Sequence, residues 1–192
     1  MGYSVGVELA IPVIDRLSLL QEETGPIIKE RQAAVRWNPV TDMRLTLRAF
    51  RHLEASAYTR VQDMVQDFAR ALTPFRFECV GSRAEREPGM ACLITADIRE
   101  EGDTLQALQE HINRAADMIG FMPDTRPWKP RVLIGRLATP RGAANLDELF
   151  DPYQHTVWGE TECKELVLYE SKVMGRMAQT RAIRRFQIGS GR

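Results

Sequence analysis

Segments whose apolar residues alternate with a period of two are interleaved along the chain with segments whose apolar residues recur every three to four positions. No low-complexity stretch or long linker separates them, which restricts the chain to an α+β body in which strands and helices share a core. Tyr3 to Leu9 alternates with Val5, Val7 and Leu9 on one face. Ile11 to Lys29 reads as a helix burying Ile14, Leu17, Leu20, Ile27 and Ile28; Pro12 sits harmlessly in its first turn, while Gly25-Pro26 is placed to break or kink it. Strands follow at Ala34 to Trp37 and Met43 to Phe50, then a helix from about Ser56 to Leu72 on Val61, Val65, Phe68 and Leu72. Phe75 to Val80 and Ala91 to Ile98 read as strands around a polar turn, Gly81 to Gly89. The clearest helix comes next, with Asp103 as its cap, Leu105, Leu108, Ile112, Ala115 and Ile119 as its stripe and Gly120 as its stop. Trp128 to Leu137, Glu165 to Glu170 and Ile183 to Ile188 complete the strands, and Leu146 to Tyr153 reads as a short helix or loop.

Arg44-Leu45-Thr46-Leu47 is echoed by Arg131-Val132-Leu133-Ile134, and the elements around the two repeat in the order strands, helix, strands. A chain of 192 residues can form one large domain or two small lobes sharing a cleft. At 44% hydrophobic residues the chain can bury a core. Lys and Arg balance Asp and Glu at 26 each, so any affinity for phosphates must come from local clustering. The cations are 22 Arg against 4 Lys. Codon bias explains that, and so does phosphate recognition by planar guanidinium forks. Cys79, Cys92 and Cys163 are odd in number and fit no zinc spacing, which predicts reduced thiols. The start MGYSVGVELAIPVIDRL has no basic segment before an apolar one, and no run of about 18 apolar residues occurs, which predicts a soluble cytoplasmic protein without a membrane partner.

The blocks SVGVELAIPVIDRL, VRWNPVTDMRLTLRAF, MIGFMPDTRPWKPRVLIGRL and ELVLYESKVMGRMAQTRAIRRFQI resemble, in order and spacing, those of the 2H phosphoesterases, in particular bacterial RNA 2′,3′-cyclic phosphodiesterases or 2′-5′ RNA ligase-like proteins. The resemblance runs over nearly the whole chain. It implies a single bilobal domain over residues 1–192, with two pseudo-symmetric lobes, each an antiparallel sheet with helices on its outer face, around a central cleft. The family signature is His-x-Thr-x once per lobe, and a spacing of two puts His and Thr on one strand face. One His takes the proton of the attacking oxygen, the other protonates the leaving oxygen, and the hydroxyls hold phosphate oxygens. Carried over to this chain, the first pair becomes Arg44 and Thr46 and the second Arg131 and Leu133.

Arginine, with a pKa above about 12, keeps its proton at neutral pH and is neither a base nor an effective acid. Loss of one acid/base group typically costs about 10²–10⁴ in rate. The family reaction is therefore expected to be silenced, with no catalytic residues, cofactor or metal. Two guanidiniums facing one cleft can still grip a phosphate, with Thr46 adding a donor and Arg48 continuing the face of a regular strand. Arg51, Arg136, Arg181, Arg184 and Arg185 are candidates for the rim. The expected ligand is a nucleotide, cyclic nucleotide or RNA end. Alternatively Arg44 and Arg131 are neutralised by acids such as Asp42 or Glu170, leaving a protein-interaction module, or residual cyclic phosphodiesterase activity persists.

Among the histidines, His52 lies about 26 Å along an extended strand from Arg44, too far to replace it. His111 falls on the polar side of its helix, and His155-Thr156-Val157 lacks a correctly placed Thr and reads as loop. Trp37, Trp128 and Trp158 fit strand-end core positions as well as base-stacking ones. Where the family often has a ligand-stacking aromatic near the start of the last strand, this chain has Thr180.

Overall fold

The computed structural model describes residues 2–31, 33–50, 53–86, 92–122, 124, 127–137, 146–174 and 177–189. The strands are β1 (Gly2–Glu8), β2 (Val35–Trp37), β3 (Arg44–Phe50), β4 (Phe75–Arg86), β5 (Cys92–Arg99), β6 (Arg131–Leu137), β7 (Val157–Cys163), β8 (Glu165–Met174) and β9 (Met177–Gln187), and the helices are α1 (Ile11–Glu30), α2 (Ala55–Ala71), α3 (Thr104–Met118) and α4 (Leu146–Phe150). The strands join in one sheet, in the order β7-β4-β5-β6-β3-β1-β8-β9 with β2 added to β6, and every pairing is antiparallel.

The sheet narrows at its centre. β3 and β6 are in register over one pair, Leu45 with Val132, so the strands on either side form two lobes. Each lobe is covered by helices, and the chain swaps them: α1, which follows β1 of the first lobe, packs on β7 and β2 of the second, while α3, which follows β5 of the second, packs on β3 of the first. The core runs under both, through Val5, Val7, Leu45, Leu47 and Phe186 in one lobe and Phe77, Ile94, Ile134 and Phe150 in the other.

The repeat seen in the sequence has a structural counterpart. β3 and β6 share the same order of buried, half-buried and exposed residues along their lengths. Each also carries a register shift at the same place: Leu47 is the extra residue where Gly6 pairs with Thr46 and Val5 with Arg48, and Ile134 is the extra residue where Thr95 pairs with Leu133 and Ile94 with Gly135.

Several expectations are corrected. α1 runs unbroken through Gly25-Pro26, because its buried row Val13, Leu17, Leu20, Thr24 and Ile28 continues across the proline; Ile27 instead lies 38% exposed. β4 extends through Gly81 to Arg86 as the arm of a long hairpin, beyond the expected turn. Asp103 occupies the cap position of α3 without a side-chain cap bond; the carboxylate of Glu100 accepts from Leu105 N–H at 2.6 Å in its place. Trp128 to Pro130 precede β6 rather than belonging to it, β8 and β9 are longer than read, and β7 is a strand the alternation pattern did not reveal. His52 and Arg51 lie outside the described residues. Among the described residues, no helix is long and apolar enough to cross a membrane.

The three cysteines sit on β4, β5 and β7 and are buried. Burial pushes the thiols of Cys79 and Cys163 up to about 12 and raises that of Cys92 as well.

Candidate functional site

A cleft of about 930 Å³ opens where β3 and β6 diverge, and Arg44, Thr46, Arg131 and Leu133 line it together. The antiparallel register of Leu45 with Val132 sets Arg44 beside Leu133 and Thr46 beside Arg131, so each arginine faces the second position of the opposite strand.

The Arg44 guanidinium lies 4.2 Å from the centroid of the Tyr169 ring, and its Nη1 donates to Asp42 at 3.2 Å. Its Nε is buried without a hydrogen-bond partner. Burial raises the Tyr169 phenol first of all, with the Glu8 carboxylate adding to it, so the ring stays neutral and offers Arg44 an uncharged face. Arg185 is bound by Glu8 and Glu165 at 2.6–2.7 Å, and Glu8 pairs in register with Arg44. Arg185, Glu8 and Glu165 lie outside the cleft lining, so the first-lobe side sets two guanidiniums, Arg44 at the cleft and Arg185 behind it, against three carboxylates.

Charge on the second-lobe wall runs the other way. Glu85 bridges Arg131 and Lys129. Burial alone would raise the Glu85 carboxyl, but the Lys129 hydrogen bond and the charges of Arg131, Lys129 and Arg83 outweigh it and hold the group below the usual carboxylate range. Arg83 pairs with Asp97 on the neighbouring strand. Arg36 and Arg136 face each other in register across β2 and β6; both are exposed, and neither makes an ion pair among the described residues. Like charges directly opposed on adjacent strands destabilise a sheet, and a bound anion would relieve that repulsion. Next to this pair, Gly135 is the register partner of Trp37: a Cβ there would lie 2.7 Å from the indole, so the ring packs closely on β6 while also lining the cleft.

Arg48 departs from expectation. The register shift at Leu47 interrupts the alternation, and Arg48 is buried with Nη2 donating to Met122 O at 2.6 Å and Nη1 4.0 Å from Asp124. It touches the end of the cleft but does not continue the Arg44/Thr46 face. Arg136, one residue out of step with Arg131 and Leu133, enters the cleft because the shift at Ile134 moves it there. Arg181, Arg184 and Arg185 are absent from the lining: Arg181 bonds Glu170 at 2.9 Å on another face, and Arg184 lies over Phe186. Sequence reading missed Lys129 and Glu85; a cation two residues before Arg131 was the one available signal. Thr180 bonds Ser171 at 2.9 Å, and both His111 and His155 are exposed. Among the described residues, no three His, Cys, Asp or Glu side chains are grouped to hold a metal ion.

No family model matches the chain. An RNA 2′,3′-cyclic phosphodiesterase of Methanothermobacter thermautotrophicus is 24% identical to it over 169 residues, spanning 88% of this chain and 89% of the relative. A crystal structure from Thermus thermophilus superposes with a TM-score of 0.80 at 18% identity, covering 98% of both chains. E. coli LigT complexed with 3′-AMP gives 0.75 at 14% identity over 97% of both, and LigT has also been crystallised with ATP and with phosphate. Full-length similarity to the archaeal phosphodiesterase, the structural superpositions and the two facing motif strands agree: the chain has the fold of the LigT-like 2H phosphoesterases.

Proposed function

We propose that the chain binds a phosphate-bearing ligand, such as a nucleotide, cyclic nucleotide or RNA end, in the inter-lobe cleft without performing the family's acid–base chemistry. The observation that carries this reading is the cleft's charge. Arg36, Arg44, Arg48, Lys129, Arg131 and Arg136 line it against Asp42 and Asp124, with Glu85 behind, in a chain whose net charge is zero. The excess cation lies on the second-lobe wall, so the phosphate belongs near Arg131, Lys129 and the opposed Arg36/Arg136 pair. Arg44 and Thr46 supply donors from the other wall, and Arg48 is left to its role beneath Met122.

Proton chemistry supports the silence. Residues that stay cationic attract an oxyanion but cannot take a proton from a nucleophile, and Leu133 offers no hydroxyl. Titration calorimetry against a panel of nucleotides, cyclic nucleotides and 2′,3′-cyclic-phosphate RNA ends tests binding. Measurable affinity, lost in Arg44→Ala/Arg131→Ala and in Arg36→Ala/Arg136→Ala, is expected. No binding by the parent, or binding unchanged in both double variants, would sink the reading. Formation of a 2′-phosphate product that disappears in the Arg variants would establish residual catalysis instead.

A second reading, a protein-interaction module without a ligand site, is favoured by one observation: Arg44 and Arg131 each have an internal carboxylate, Asp42 and Glu85. Glu85 is shared with Lys129, however, and Asp42 engages Arg44 through one nitrogen, so pairing leaves the cleft cationic.

A further inference from the structure

Where β3 and β6 part, the backbone carbonyls next to the single register pair lose the ladder donors a continuous sheet would supply, and buried carbonyls need donors from elsewhere. Two side chains provide them reciprocally. The segment entering β3 lies on β6, where Asn38 donates Nδ2–H to Leu133 O at 2.9 Å and its own N–H to Ile134 O at 2.8 Å. Gln21 Nε2 fastens this segment from α1, donating to Asn38 O at 2.8 Å and to Ile134 O at 3.0 Å. The segment entering β6 lies on β3 in the same manner, with Trp128 Nε1–H donating to Thr46 O at 3.1 Å. Thr46 and Leu133 hold the same place in the two strands, two residues beyond Arg44 and Arg131. Each motif strand is thus gripped, beside its arginine, by the segment leading into the other.

We infer that Asn38 and Trp128 are positioning residues: a pair of swapped clamps that set how far apart Arg44 and Arg131 stand across the cleft, and so the size of the anion that both can reach. One backbone pair cannot define the angle between two lobes, whereas hydrogen bonds on both flanks of it can. The consequence for ligands rests on the proposed function; the consequence for lobe spacing does not.

Nitroxide labels on the outermost strands, introduced by Glu162→Cys and Arg184→Cys, report lobe separation by pulsed electron paramagnetic resonance. Trp128→Phe keeps an aromatic ring and removes the N–H; Asn38→Leu keeps the branched shape and removes the donor. The clamps predict a shifted or broadened distance distribution in each variant, largest in the double variant. Affinity for inorganic phosphate and for adenosine monophosphate should fall about ten-fold or more in the same proteins. A double variant whose distances superimpose on the parent's would overturn the clamps, and shifted distances with unchanged affinity would overturn their link to the size of the anion. If the parent binds neither anion, the binding reading fails, and the distances alone decide the clamps. Should Asn38→Leu not fold, Trp128→Phe carries the test by itself.

Discussion

Glu85 is the carboxylate on which the second-lobe wall is organised, since it accepts from both Lys129 and Arg131. Its folded pKa is depressed, so its contribution to stability is present above the unfolded value and is lost as pH falls through the folded one. Glu85→Gln should therefore lower stability at neutral pH and flatten its decline below about pH 5, where an unperturbed glutamate begins to protonate; urea unfolding at several pH values measures this. Strand alternation alone was enough to put Arg44 with Thr46 and Arg131 with Leu133 on common faces. It could not foresee that Arg48 leaves that face and Arg136 joins it, because each outcome depends on one extra residue in a strand, and an irregularity of that kind leaves no trace in a period-two pattern. Glu85 was equally hidden, since it reaches Arg131 only through the register of β4, β5 and β6.

The end of α3 shows how an element chooses among neighbouring acids. Asp103 stands where a cap is expected, yet Glu100 reaches the Leu105 N–H. Removing a working cap typically costs about 1 kcal/mol, so Glu100→Ala should lose about that much and Asp103→Ala clearly less, as thermal or urea unfolding will show. Helices were legible because their buried rows are long, and α1 carries five such positions through a proline. β7 was not legible: it buries Trp158, Thr161 and Cys163, its alternation slips at Gly159, and Glu160 and Glu162 give it the look of a loop.

At the scale of the molecule, the two halves depend on close backbone approach at the seam. A Cβ on Gly6 would lie 2.5 Å from Leu45 O, in the strand that carries Arg44 and the one pair joining β3 to β6. Gly6→Ala must push β1 and β3 apart; overpacking of this kind costs roughly 1–3 kcal/mol, and denaturant unfolding should show a loss in that range. The repeated order of elements was readable from the sequence, but the exchange of helices between lobes was not, because no local pattern states which half a helix will cover. The sulfhydryl groups draw a line between the same halves. All three belong to the lobe of β4, β5 and β7, and with Cys79 and Cys163 at about 12 almost none of either is ionised at pH 8. Alkylation by iodoacetamide must then wait for that half to open, so modification rates followed by mass spectrometry would time the unfolding of one lobe while the other, carrying no cysteine, stays invisible to the reagent.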